Sequence, residues 1–322
     1  MRTPLPSAVA LALTMLVLVA CGGGGGGGKT VKPSVTISTA NAERVAEVAV
    51  ATTNVNDAIG VGDDLTDGVD QATAQSASVA RRAAKILRAH ARPQVQVSDT
   101  LTCDQPSSGQ PGSISFTIND ADNNGDLSRN DTIDATLNNC FLNGAGAISS
   151  GTMFLRVTSV GASSVGLAMQ FTNFFVDSLA GTDLTLNGSI DMLANAPTST
   201  TSQLVLTGGS LTARDANDTI TLSATNLTFA HDQISNRYST FGSATITSGA
   251  LGGTVAFNIP SSSPLTGLGE ANPDGGVIEI TGVNSNLTLT ALPANNVRLD
   301  IDFSGDRVID ESRTVTWDQI AI

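Results

Sequence analysis

The sequence predicts a mainly β protein, in which a large antiparallel sheet, folded as a sandwich or an open barrel, follows an Ala-rich helical hairpin. From about residue 95 onward, short segments such as 114–118 and 287–289 alternate apolar residues with Ser, Thr or Asn. This alternation is the period of a strand with one buried face. Turn residues recur at intervals of roughly 10–15 residues, without helical segments between the strands. We therefore expect a dozen or more antiparallel strands in a domain spanning residues 94–322.

Residues 39–93 are predicted to form the helical hairpin, because they are rich in Ala and place apolar residues at helical spacing. We expect one helix at about 40–55 and another at about 69–92, where Pro93 ends it. The second helix carries a basic stripe made of Arg81, Lys85, Arg88 and Arg92. The stripe has three possible interpretations: a solvated face, a contact with the acidic β domain, or a contact with anionic lipid.

The N-terminus is predicted to be a secretory signal, because Arg2 precedes an apolar run at residues 8–19 that is too short to span a membrane. The run ends with Leu18, Val19, Ala20 and Cys21, which resemble the lipobox of bacterial lipoproteins. The resemblance implies that residues 1–20 are removed and that the Cys21 thiol is acylated, which would anchor the domain stably. Gly22 follows Cys21, and in lipoproteins of Gram-negative bacteria a residue other than Asp there implies the outer membrane.

Residues 21–38 are expected to tether the domain to this lipid, since 22–28 are all glycine and behave as a random coil. Two cysteines remain beside Cys21, and an even number in an oxidising compartment predicts a Cys103–Cys140 disulfide, with two buried free thiols as the alternative.

The charge of the chain limits its partners. The net charge is −13, and residues 93–322 contain 22 Asp and Glu against seven Lys and Arg, a net charge of −15. A surface this acidic repels nucleic acid and anionic membranes and favours cations.

The acid is most concentrated at residues 120–131. The candidate metal ligands Asp120, Asp122, Asn124, Asp126, Ser128 and Asp131 occupy positions 1, 3, 5, 7, 9 and 12 of this segment. With Gly125 at position 6, the pattern resembles the calcium loop of EF-hands and, more closely, of dockerins, which implies oxygen ligation of Ca²⁺. The flanking segments are predicted strands rather than helices, and Asp131 is shorter than the usual Glu. An Asx-rich hairpin turn is the alternative, because turns require the same residues.

A second candidate calcium loop lies at residues 300–311. Its candidate ligands are Asp300, Asp302, Ser304, Asp306 and Glu311, at positions 1, 3, 5, 7 and 12, with Gly305 at position 6. Arg307 replaces the apolar residue that the family has at position 8. The alternation of residues 297–303 also fits a half-buried strand, so both interpretations remain open.

The sequence predicts no enzyme. It has two histidines: His90 lies on the apolar face of a predicted helix, and His231 lies in a predicted turn beside Asp232. The nucleophile elbow, the HExxH motif, the Walker motif and paired Cys-x-x-Cys zinc motifs are missing from the sequence.

The order of lipobox, tether, Ala-rich helices and β-rich body resembles a loosely defined set of uncharacterised proteobacterial lipoproteins. The matching residues are Ser38–Ala42, Asn139-Cys140 and Thr314–Trp317. The resemblance implies no activity, so we expect a lipid-anchored, calcium-stabilised binding or structural module of the cell envelope whose partner is unknown. The alternative is a carrier of apolar ligands such as acyl chains, with Met169, Phe171, Phe174 and Phe175 lining its site.

Overall fold

The computed structural model describes residues 31–53, 83, 96–104, 111–141, 147–178, 183–198, 200–214, 218–269 and 272–320. Within this part of the chain, 15 strands form one antiparallel sheet. The strands are β1 Gln96–Thr102, β2 Ser113–Asn119, β3 Thr132–Phe141, β4 Ala147–Gly161, β5 Ser164–Ser178, β6 Asp183–Thr198, β7 Thr201–Arg214, β8 Thr219–Asp232, β9 Arg237–Ser248, β10 Gly253–Ile259, β11 Leu265–Leu268, β12 Val277–Gly282, β13 Ser285–Leu292, β14 Asn296–Asp302 and β15 Glu311–Thr316.

The sheet is a meander in which each strand pairs with the next one along the chain, except that β11 pairs with β9 beyond the end of β10. The predicted mainly β, antiparallel class is confirmed. The sequence left a sandwich and a barrel open, and the described strands form one continuous open sheet with β1 and β15 at its two edges.

The first predicted helix is confirmed as α1, Ala42–Thr53. Val45, Ala46 and Ala49 are buried on one of its faces, and α1 packs against β9 and β13. The second predicted helix, with its basic stripe and His90, lies outside the described residues apart from Ala83, which is helical and buried. No helix in the described part of the chain is both long and apolar enough to cross a membrane.

A row of backbone irregularities crosses the sheet from β3 to β9, with at least one residue of positive φ on every strand. These residues are Asn139, Gly151, Asn173, Gly188, Gly208, Gly209, Ala224 and Gly242. In β3 the buried positions change from odd to even numbers between Leu137 and Cys140, where the register shifts. An extra residue in a strand bends it and increases its twist. The bulges therefore bend the sheet while keeping the apolar side chains on one face.

Where the backbone of a bulged strand comes close to the next strand, the residue that faces it is a glycine. A Cβ atom on Gly188 would lie 2.0 Å from the Ser210 carbonyl oxygen, and one on Gly242 would lie 2.0 Å from that of Asn226. Their φ angles are +117° and +121°, a conformation that side-chain-bearing residues rarely adopt. The backbone of the bulged strand thus fills the space that a side chain would need.

The segment at residues 34–37, which we call the strap, is inserted between β10 and β12 where these strands separate. On the β10 side, Ser34 N and Val35 N donate to the Thr254 carbonyl oxygen at 2.9 and 3.2 Å. On the β12 side, Val283 N donates to the Val35 carbonyl oxygen at 2.7 Å. Ile37 N donates to Ser285 Oγ at 2.8 Å. Val35 and Ile37 are buried in the core. The N-terminal segment therefore completes the sheet before α1 begins. Residues 34–37, which the sequence assigned to the tether at 21–38, thus belong to the sheet, because their main-chain groups find partners on β10 and in the β12–β13 turn.

The alternating strand directions give the sheet two ends. The strap end carries the strap, the β9–β10 turn, the β12–β13 turn and the loop at residues 303–310. The acidic-loop end carries residues 120–131, the β8–β9 turn and the β13–β14 turn.

Replacing Gly242 with Ala should lower the free energy of unfolding by about 3 kcal/mol, because the new Cβ clashes with a main-chain oxygen in a conformation unsuited to it. Gly252, in the β9–β10 turn, is the matched control, since its φ is +64° and the space around its Cβ position is open. Gly252→Ala should cost only about 1 kcal/mol. Urea denaturation measures both values, and equal losses would contradict the role assigned to the row of bulges.

Candidate metal-binding loop

Residues 120–131, which we call the acidic loop, connect β2 to β3 at the end of the sheet opposite the strap. β2 ends at Asn119 and β3 begins at Thr132, so strands flank the loop as the sequence predicts. β2 pairs with β3 along the whole of its own length, from Ser113 opposite Asn138 to Asn119 opposite Thr132. The loop is thus held at both ends by a hydrogen-bonded hairpin.

Three carboxylates of the loop converge. One oxygen from each of Asp120, Asp122 and Asp131 lies within 4.8 Å of the other two. Asp120 is 1% exposed and Asp131 is 0% exposed, whereas Asp122 is exposed to solvent. Like charges at this separation repel one another, more strongly where water is excluded.

The backbone of the loop is wrapped around the two buried carboxylates. Asp120 accepts hydrogen bonds from Asn124 N at 3.2 Å and from Gly125 N at 2.8 Å. Asp131 accepts from Ala121 N at 2.8 Å and from Ser128 N at 2.6 Å. These donors are neutral N–H groups, so they solvate the carboxylates without neutralising the charge.

The other predicted ligands have different positions in the loop. The Ser128 hydroxyl lies between two carboxylates, at 2.8 Å from Asp122 Oδ2 and 3.4 Å from Asp131 Oδ1. Asn124 points its Nδ2 at Asp122 Oδ2, at 2.9 Å. Asp126 is exposed and does not belong to the converging group. The hydrogen bond from Ser128 is the main reason that the pKa of Asp122 is lowered.

The second candidate loop does not bring its predicted ligands together. Asp300 accepts from Arg298 Nε at 2.9 Å and from Ser312 Oγ at 2.6 Å. Glu311 accepts from the Thr39 hydroxyl at 2.6 Å, which joins β15 to the turn that precedes α1. Ser304 and Asp306 are exposed. Among the residues of this fully described segment, no three carboxylates converge as they do at residues 120–131.

Asp302 instead organises the loop that follows β14. Its Oδ1 accepts from Gly305 N at 2.6 Å and from Ser304 Oγ at 3.3 Å, and its Oδ2 accepts from Arg307 N at 2.9 Å and from Asn286 Nδ2 at 3.0 Å. Burial raises the pKa of Asp302, but these hydrogen bonds together outweigh it, and the net pKa is lowered.

The predicted disulfide between Cys103 and Cys140 is confirmed, with a Cα–Cα distance of 5.4 Å. Cys103 directly follows β1, and Cys140 lies near the end of β3. Since β2 lies between β1 and β3 in the sheet, the disulfide spans the beginning of β2. The bond therefore lies at the strap end of the hairpin, while the acidic loop lies at the opposite end. The seven residues of β2 separate the two by about 23 Å.

Two further predictions concern single side chains. The prediction that His231 lies in a turn is wrong: it is the penultimate residue of β8, paired with Tyr238 of β9 and 4% exposed. Its Nε2 is 3.1 Å from Asn236 Oδ1, and its Nδ1 is buried without a hydrogen-bond partner. Of the residues predicted to line a carrier site, Met169, Phe171 and Phe174 are buried in the core and Phe175 is 36% exposed.

Comparison of the chain with protein-family models, with curated proteins and with solved structures finds no match.

Acid should destabilise the protein through carboxylates whose pKa is lowered in the folded state, among them Asp122 and Asp302. Their contribution is present above the ordinary Asp pKa of about 4 and is lost as the pH falls through the lower folded value. Asp302→Asn should therefore make the free energy of unfolding less dependent on pH below about 4 than in the wild type. Urea denaturation between neutral and acidic pH measures this, and identical slopes would contradict it.

Proposed function

We propose that the protein is a lipid-anchored module of the bacterial cell envelope that binds Ca²⁺ at residues 120–131 as a structural ion and serves a binding or scaffolding role rather than a catalytic one. The observation that carries the metal assignment is the convergence of Asp120, Asp122 and Asp131 within 4.8 Å, with two of the three carboxylates buried.

The donor set fits a hard cation. Ca²⁺ prefers oxygen ligands, with carboxylates, carbonyls, hydroxyls and water filling six to eight positions. Asp120, Asp122 and Asp131 would supply the charged oxygens, and the Ser128 hydroxyl lies beside two of them. Asp120 and Asp131 accept backbone hydrogen bonds that fix their orientation, and each retains further acceptor capacity. The loop contributes oxygens alone, which disfavours a zinc or copper site.

A bound cation would act chiefly on stability. The three carboxylates repel one another in the folded loop, and a divalent ion bound between them would attract each one and outweigh that repulsion. The strands that flank the loop are paired along the whole of β2. Binding of the ion would therefore change the backbone little outside the loop. This favours a structural ion over a conformational switch.

The position of the strap supports the anchoring part of the proposal. Cys21 is separated from Val31, the first described residue, by a stretch that is mostly glycine. The predicted random-coil tether of about ten residues would have a root-mean-square span of about 18 Å. Because the strap is hydrogen-bonded into the sheet between Thr254 and Val283, the proposed lipid would hold one defined end of the β domain near the membrane.

Calcium should raise the melting temperature of the protein, and chelation should reverse the rise. At a free concentration 100 times the dissociation constant, the stabilisation would be about 2.7 kcal/mol. Asp122→Ala should abolish the calcium-dependent rise. Asp302→Ala is the matched control, because it removes a hydrogen-bonded Asp at the other end of the sheet and should lower stability without removing the response to calcium.

Scanning calorimetry with calcium, with magnesium and with chelator measures these shifts. An unchanged melting temperature in calcium would mean that residues 120–131 form only an Asx-rich turn.

The anchor can be tested independently of the metal. When the full-length gene is expressed in a Gram-negative host, mass spectrometry of the purified protein should find a chain that begins at Cys21 and carries acyl chains. Cys21→Ser should leave an unacylated protein that no longer fractionates with membranes. An uncleaved chain, or unmodified Cys21 at a mature N-terminus, would contradict the anchoring part of the proposal.

A further inference from the structure

The loop at residues 303–310, which we call the apolar loop, exposes three large hydrophobic side chains. Phe303 is 47% exposed, Val308 61% and Ile309 58%. Exposed apolar side chains scattered singly on a surface are common, but three within seven residues form a local patch.

Hydrogen bonds hold the backbone of this loop in one conformation. Asp302 accepts from Gly305 N and Arg307 N, and Asp310 Oδ2 accepts from Phe303 N at 2.9 Å and from Ser304 N at 3.2 Å. A loop ordered in this way displays its apolar side chains without losing further backbone entropy when they become buried.

The apolar loop and the strap contact the same turn. A Cβ atom on Gly305 would lie 2.7 Å from backbone atoms of Asn284, in the β12–β13 turn. The same turn binds the strap, since Val283 N donates to the Val35 carbonyl oxygen at 2.7 Å. Val31, at the start of the described chain, is itself 46% exposed.

The opposite end of the sheet also exposes apolar side chains, among them Ile234 at 80% and Leu268 at 53%. Exposure alone therefore does not identify a docking surface. What distinguishes the apolar loop is that it packs against the β12–β13 turn, which also binds the strap, the segment through which the chain from Cys21 enters the fold.

We propose that the apolar loop inserts Phe303, Val308 and Ile309 into the interface of the lipid bilayer to which Cys21 is attached, so that the strap end of the sheet faces the membrane. This inference rests on the proposed lipid anchor. The tether can extend at most about 35 Å, which keeps the loop within reach of the bilayer. Apolar and aromatic side chains of this kind partition into the interface to a depth of about 5–10 Å.

The charges of the loop define the lipid surface that it fits. The loop contains Asp306, Asp310 and Arg307, and Asp302 lies at its base, so its net charge is negative. An anionic surface would repel it, and we therefore assign a zwitterionic one.

The test places a tryptophan at Val308 and, as the control, at Ile234 of the opposite end. The protein used begins at Cys21, its mature form under the proposed function. Because Cys103 and Cys140 are joined in a disulfide, Cys21 is the only free thiol, and it is coupled to a maleimide lipid in phosphatidylcholine vesicles. Native Trp317 is 1% exposed, and the coupled wild type supplies its background.

With phosphatidylcholine brominated near the headgroup, Val308→Trp should lose emission and shift to shorter wavelength, whereas Ile234→Trp should keep the emission of a solvated indole. Adding Phe303→Ser and Ile309→Ser to Val308→Trp should reduce the quenching, and these exposed positions leave the core unchanged. Absence of quenching at residue 308, or equal quenching at 308 and 234, would overturn the proposal. Because the lipid is attached chemically, this result does not depend on whether the cell acylates Cys21.

Discussion

The fold depends on keeping one face of a long sheet apolar while the sheet bends. A regular strand alternates its side chains, so a single inserted residue would turn every later apolar side chain toward solvent. Where the register shifts in β5, the buried series that includes Phe171 resumes at Phe174. The bulge and the change in the apolar pattern therefore compensate each other, strand after strand, and the glycines of β4, β6 and β9 admit the displaced backbone.

The N-terminal segment belongs to the sheet rather than merely preceding it. β10 and β12 pair over only three residue pairs, Ala256 to Asn258 with Thr281 to Glu279, and the strap supplies hydrogen-bonding partners where they diverge. Helix α1 then covers β9 and β13, and its first turn is tied to β15 by Arg313, which contacts Glu43 at 3.4 Å. A force applied through the proposed tether would thus act directly on the core, which would link the proposed anchor mechanically to the fold.

Buried carboxylates organise loops at both ends of the sheet, but the two groups differ chemically. At the acidic-loop end, Asp120 and Asp131 converge with Asp122, and their negative charges reinforce one another. At the strap end, Asp302 is surrounded by N–H and amide donors, and Asp300 is paired with Arg298 at 2.9 Å. The first arrangement could hold a cation, whereas the carboxylates of the second already have hydrogen-bond and ion-pair partners within the chain.

The sequence by itself determined the class of fold, the disulfide and the site of converging carboxylates, because each is set by local periodicity or by a small count of residues. Glycines inside strands, such as Gly151 in β4 and Gly188 in β6, also signal bulges, and these glycines could have predicted the row of bulges from the sequence. The same one-three-five spacing gave a converging group at residues 120–131 but not at 300–311. Asp300 and Asp302 lie within β14, where an extended backbone separates alternate residues by almost 7 Å, whereas the segment after Asp120 has left its strand. Only the tertiary structure decided this difference, along with the insertion of the strap and the exposure of the apolar loop beside it, because each depends on pairing between residues far apart in the chain.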